Sequence, residues 1–132
     1  MATQINGAFD VTLTPLAQSE KTAGASLGRM GISKQFHGDL SATSKGEMLS
    51  AMTDTAGSAG YVAIEQVTGS LVGRNGSFVL QHSGSMARGV ASLRVTVVPD
   101  SATDELVGLT GEMAINIVDG KHFYEFSFTL PA

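Results

Sequence analysis

The stretch that decides the fold runs from residue 61 to residue 82, YVAIEQVTGSLVGRNGSFVLQH. Two apolar-rich runs flank Arg74-Asn75-Gly76. Asn-Gly between alternating hydrophobic residues is the strongest short-range signal for a β-hairpin with a two-residue turn. For such a turn around Asn75, antiparallel pairing sets odd positions before the turn beside even positions after it. One face then carries Tyr61, Glu65, Val67 and Leu71 with Phe78, Leu80 and His82. The other carries Val62, Ile64, Gln66 and Val72 with Val79, Gln81 and Ser83. Both faces are substantially apolar, as expected when one lines a barrel and the other meets a partner. Which of them points inward is left open by the pattern.

Outward from this hairpin the chain reads as β throughout. Residues 8–14 alternate Phe9, Val11 and Leu13 with Asp10, Thr12 and Thr14, a half-buried strand that Pro15 is expected to stop. Residues 16–25 are small and polar and read as a loop. A period of two resumes over 27–36 through Met30, Ile32 and Phe36, with Lys34 out of pattern, and Gly38 marks a bend. Residues 46–53, GEMLSAMT, read as a strand, although Met48, Leu49 and Met52 also sit at helical spacing; 56–60 read as a glycine-rich loop, and 83–89, SGSMARG, as a turn-rich connector. Residues 92–98 are strongly β and end at Pro99-Asp100, after which 103–106 have room for one helical turn. Residues 109–118 and 122–130 flank Asp119-Gly120, a second two-residue hairpin signal. Roughly eight or nine short strands so spaced mean a sandwich or a barrel. With few charged residues to guard its edges, the chain is expected to be all-β, a closed antiparallel barrel of about eight strands. The lumen of such a barrel is filled by side chains or holds one small ligand.

Composition narrows the function classes. A chain of 132 residues is one domain, spanning 1–132. Charged residues make up 15%, well under the usual 25% or so, which suggests that a second copy covers some surface and that the protein is a homodimer. A net charge of −4 and eight scattered Lys and Arg argue against a nucleic-acid partner. The absence of cysteine removes zinc-thiolate and thiol redox chemistry. No basic-then-apolar leader and no long apolar run are present, so a cytoplasmic home without membrane partner or cofactor is expected.

Four residues are candidates for a ligand site: Tyr61, Glu65 and His82 from the aromatic face of the hairpin, and Tyr124 from the last strand, where it aligns with Phe126, Phe128 and Leu130. Desolvation in an apolar lumen would raise the pKa of Glu65 and lower that of His82, the tuning that acid–base catalysts use and that buried structural pairs also show. His37 and Asp39 share a strand face, but two ligands make a poor transition-metal site, and no metal is expected. The run Gly24-Ala25-Ser26-Leu27-Gly28 matches a nucleophile-elbow pattern without the strand-to-helix setting that the chemistry needs. Asn75-Gly76-Ser77 is a formal glycosylation sequon better explained as the turn itself. Five internal methionines, Met30, Met48, Met52, Met86 and Met113, either fill gaps in the core or line a soft apolar pocket.

In order along the chain, FHGDLSATSKGEML, SAGYVAIEQVTG, GSFVLQHSG and LVGLTGEM resemble a family of small bacterial proteins of unknown function. Structural representatives of that family are similar to allene oxide cyclase in having an eight-stranded antiparallel barrel. The resemblance covers roughly residues 7–130 and implies that fold. Allene oxide cyclase closes a ring in a fatty-acid epoxide inside its barrel, but none of its catalytic residues maps here through a shared motif, so its activity would be fold-level analogy. The leading expectation is a barrel that binds a small apolar or amphipathic molecule in its lumen. The competing expectations are an isomerase or cyclase using Glu65 or His82 as acid–base, and a structural or interaction module with a solid core.

Overall fold

The structure, a computed structural model, describes residues 2–22 and 24–131, leaving out the side chains of 17–22. Eight antiparallel strands close into one barrel in sequence order. They are β1 (Thr3–Thr22), β2 (Ala25–Phe36), β3 (Leu40–Thr53), β4 (Ala59–Leu71), β5 (Arg74–Ala87), β6 (Val90–Val97), β7 (Thr110–Val118) and β8 (Lys121–Thr129). One 3-10 turn, Asp104–Leu106, interrupts the β6–β7 connection, as its composition suggested. No helix among the described residues is long and apolar enough to cross a membrane.

The alternation in the sequence sets which side chains enter. In β4 the buried positions are Ala63, Glu65, Val67 and Leu71, and in β5 they are Phe78, Leu80 and His82. The face bearing Tyr61, Glu65 and His82 is therefore the inner one. The turn that aligns them is not where the sequence placed it. Val72 and Gly73, at φ 44° and 82°, make the two-residue turn, and Ser70 pairs with Asn75 and Gly69 with Gly76 inside the ladder. Asn75 and its neighbours are needed as strand because the β6–β7 connection docks there. The Asn75 amide donates to Glu105 Oε1 at 2.9 Å and the Ser77 amide to Thr103 Oγ1 at 3.0 Å. The register slides by an even number of residues, so every side chain keeps the face first assigned to it.

Other boundaries also move. β1 runs past Pro15 to Thr22, so most of the loop expected at 16–25 is strand, with Ala23 outside the described residues. Beyond Phe9 this strand has a ladder with β2 alone, and that ladder slips register beside Pro15. An irregular edge strand is where a missing N–H is tolerated. Most of the expected connector at 83–89 belongs to β5, and the turn is made by Arg88 and Gly89 at φ 50° and 89°. The strand at 46–53 and the Asp119-Gly120 turn lie where the pattern put them.

The barrel is packed at one end and open at the other. Phe36, Leu40, Leu71, Phe78, Leu80, Leu106, Tyr124 and Phe126 fill the packed end, each at most 1% exposed. Phe78 stacks on Phe126 with ring centroids 5.8 Å apart. Toward the other end the seams part, and β6 back to Val90 and β7 on to Val118 continue without pairing to each other. The β1–β8 ladder ends at Phe9 opposite His122, and β6 meets β7 only at Val95–Met113 and Thr96–Glu112. Above these points β1 to β6 continue as a curled sheet that pairs with neither β7 nor β8.

Candidate functional site

The transition between the two ends is a buried polar clasp. Glu65, with no exposed surface, points inward from β4. Its Oε1 accepts from Lys34 Nζ at 2.9 Å and from His82 Nε2 at 2.8 Å, and its Oε2 accepts from Ser44 Oγ at 2.7 Å. An ionised carboxylate only accepts, so His82 carries its proton on Nε2. The register explains the meeting. Ala63 is the partner of His82 and Gly46 the partner of Glu65, which leaves Glu65 and His82 as diagonal neighbours within reach of each other. At Gly46 a Cβ would lie 2.6 Å from Glu65 Cα, so only glycine lets β3 approach β4 this closely. Lys34 comes from β2 with its ammonium 5.0 Å from the ring centre of Phe9 and 5.7 Å from that of Phe36, a cation–π cradle.

The expected rise in the Glu65 pKa is reversed. Burial does push it up, but the His82 hydrogen bond, the Lys34 charge and the Ser44 hydroxyl outweigh burial and hold the carboxyl at about 2. Sequence reasoning had the acid and the imidazole but not their partners. The one signal was Lys34, a charge at an inward position of an alternating strand. Ser44 carried none.

Above the clasp lies an open trough with a volume of about 630 Å³. Its walls include Met30, Met48, Met52 and Met86, four of the five internal methionines. The fifth, Met113, sits in the packed core at 4% exposure. Both readings of the methionines therefore hold, at different positions. Gly28, Ser50, Tyr61, Gly84 and Leu93 form a row across the trough. A Cβ at Gly84 would lie 2.5 Å from Tyr61 Cε1, so the missing side chain is the seat of the tyrosine ring. That ring, 6.3 Å from His82 by centroids, floors the trough and covers the clasp. Burial, helped by the Glu65 charge, raises the Tyr61 pKa and keeps its hydroxyl a donor.

Tyr124 is not brought to the other three candidates. Its hydroxyl donates to the His37 carbonyl at 2.7 Å and accepts from the Leu40 amide at 3.2 Å, beside the β2–β3 bend at the packed end. There burial raises its pKa, against the Leu40 hydrogen bond that lowers it. His37 pairs with Asp10 at 2.9 Å, and among the described residues no group of three or more His, Asp or Glu gathers for a metal ion. Ser26 of the elbow-like run lies within β2, with no helix after it.

A family model described as "Protein of unknown function (DUF3224)" matches residues 5–128. A crystal structure of a DUF3224-family protein of unknown function from Shewanella oneidensis MR-1 is 56% identical over the full length of both chains, with a TM-score of 0.94. No functionally curated protein matches the chain.

Proposed function

The chain belongs to the DUF3224 family of proteins of unknown function, and on that premise we propose that it binds a small apolar or amphipathic molecule in the methionine-lined trough. The observation that carries this reading is the trough itself, about 630 Å³ of mostly apolar wall in one end of an otherwise solid barrel. Small-molecule sites typically have volumes of roughly 300–1,000 Å³ with a few polar groups fixing orientation. The lumen ligand first expected thus moves to the open end, because the packed end is full.

The floor favours a neutral group on the ligand. Tyr61 offers a hydroxyl, while the Lys34 ammonium and the His82 Nε2–H are both committed to Glu65. Arg29 at the wall holds Glu47 at 2.7 Å on the outer face. A ketone, ester or hydroxyl oxygen facing Tyr61 suits this floor better than a carboxylate. Binding is favoured over acid–base catalysis because both oxygens of Glu65 are already occupied and its pKa of about 2 makes it a weak base.

The test is a fluorescence titration with N-phenyl-1-naphthylamine, a neutral apolar probe, followed by displacement with a medium-chain methyl ester or the matching carboxylate. Saturable binding, lost in a folded Ser50→Trp variant that fills the trough and displaced better by the ester, is the expected result. Absence of saturable binding, or binding unchanged by Ser50→Trp, overturns the proposal.

A homodimer remains part of the proposal. The outer face of β2 to β4 leaves Leu27, Leu49, Val62 and Ile64 between 49% and 56% exposed, the kind of contiguous apolar patch that marks an interface. Sedimentation of a monomer at tens of micromolar, unchanged by Leu49→Lys, would dismiss it.

A further inference from the structure

The trough differs from an ordinary apolar pocket in being built of thioethers. Met30 and Met48 are register partners on adjacent strands. Met52 and Met86 both pair with Ala59, whose small side chain leaves the space between them open. Leucine would supply the same apolar area, so the choice of sulfur calls for a chemical reason as well as a packing one. Two facts bear on it. The chain has no cysteine to intercept an oxidant first. The methionines are graded in access, with Met52 60% and Met86 42% exposed against 4% for Met113.

We propose that the trough methionines are a peroxide-sensitive set, and that their conversion to sulfoxide closes the trough to apolar ligands. This concerns the regulation of the site and rests on the binding reading above. In the reaction a sulfur lone pair attacks one peroxide oxygen, an S–O bond forms and the O–O bond breaks. The sulfur is oxidised by two electrons, and the departing hydroxide takes the remaining proton and leaves as water. Each sulfoxide puts a strong acceptor on a wall whose polar lining includes Ser50, Ser85 and Ser92. An apolar ligand would then strand that acceptor without a hydrogen bond. The fold has no such stake, because none of the four trough methionines belongs to the buried core cluster. Reversal is available in chemical principle, since sulfoxide reductases restore the thioether.

The experiment treats the native full-length protein with dilute hydrogen peroxide and follows it by tryptic peptide mapping alongside titration with N-phenyl-1-naphthylamine. Cleavage after Lys and Arg places Met30 in 30–34, Met48 and Met52 together in 46–74, Met86 in 75–88 and Met113 in 95–121. Fragmentation separates the two methionines that share a peptide. Met52 and Met86 are expected to oxidise first and Met113 only on unfolding, with probe affinity falling about tenfold as the first two sulfoxides form. A Met52→Leu/Met86→Leu variant should keep its affinity through the same treatment, and sulfoxide reductase should restore it in the native protein. Oxidation of Met113 as fast as Met52, or full affinity after Met52 and Met86 are oxidised, overturns the proposal. If the untreated protein binds no probe, the binding reading itself fails and the closing of the trough falls with it, while the oxidation order is still read from the peptide map.

Discussion

The same strands, β2 to β5, build two regions of opposite character. Around and below Glu65 every inward side chain is enclosed, and the buried charges close on each other with all acceptors used. A few residues farther along the same strands, the inward positions hold methionine, glycine, serine and alanine facing open space. The packed end has β7 and β8 paired in to complete the wall, whereas the trough is lined by residues of β1 to β6. Stability is therefore concentrated in the closed end, and the open end is free to be shaped by a ligand.

The sharpest way to break this comparison is to open the clasp. Glu65→Gln keeps the shape but leaves the Lys34 ammonium, 8% exposed, without its counter-charge. Removing one partner of a buried ion pair costs about 3–5 kcal/mol, and that loss is expected in urea unfolding of the variant. A Lys34→Met/Glu65→Leu double variant should lose less than Glu65→Gln alone, because no charge is then stranded. Equal losses would show that shape and not charge holds this level of the barrel.

Acid tests the same group without mutation. The folded pKa of Glu65, about 2, lies below its ordinary value of 4.5, so its contribution is present above the unfolded pKa and is lost as pH falls toward the folded one. At 1.36 kcal/mol per unit, roughly 3 kcal/mol should disappear between about pH 4.5 and pH 2. Glu65→Gln should flatten that part of the stability profile. A variant with the same acid limb as the native protein would assign the loss to other carboxylates.

How much of this was legible in the sequence follows from which interactions are local. Alternation along each strand is local, and it placed Tyr61, Glu65 and His82 on one face before their orientation was known. The turn was misplaced because Asn-Gly is the stronger local signal, whereas docking of Thr103 and Glu105 on β5 decides the outcome. The sign of the Glu65 shift was missed because Lys34 and Ser44 arrive from other strands, 31 and 21 residues away. Tyr124 was grouped with the site because a shared inner face says nothing about height along the barrel. The trough was visible only as a surplus of methionine, since its openness depends on where the β6–β7 and β1–β8 ladders stop.

The misplaced turn yields a smaller prediction at the closed end. Val72 sits at φ 44°, where a β-branched residue is strained and asparagine is at ease. Its side chain is 44% exposed, so little packing is at stake. Val72→Asn should raise stability by about 1 kcal/mol, read as a higher urea midpoint with an unchanged slope. A loss would mean that the side chain packs more than its exposure suggests.

The smallest expected effect discriminates best between the two regions. Met52 points into the trough and is 60% exposed, so Met52→Ala removes few intramolecular contacts. Its unfolding free energy should stay within about 0.5 kcal/mol of the native value, as for surface positions generally. Met113→Ala, the same chemical change in the packed core, should cost about 2–5 kcal/mol. Affinity should move the other way. Met52→Ala is expected to weaken N-phenyl-1-naphthylamine about fivefold, the worth of one or two buried methylenes. If Met52→Ala destabilises the protein as Met113→Ala does, the trough is part of the core. A neutral effect on both stability and affinity would instead make Met52 a bystander and leave the other three methionines to line the site.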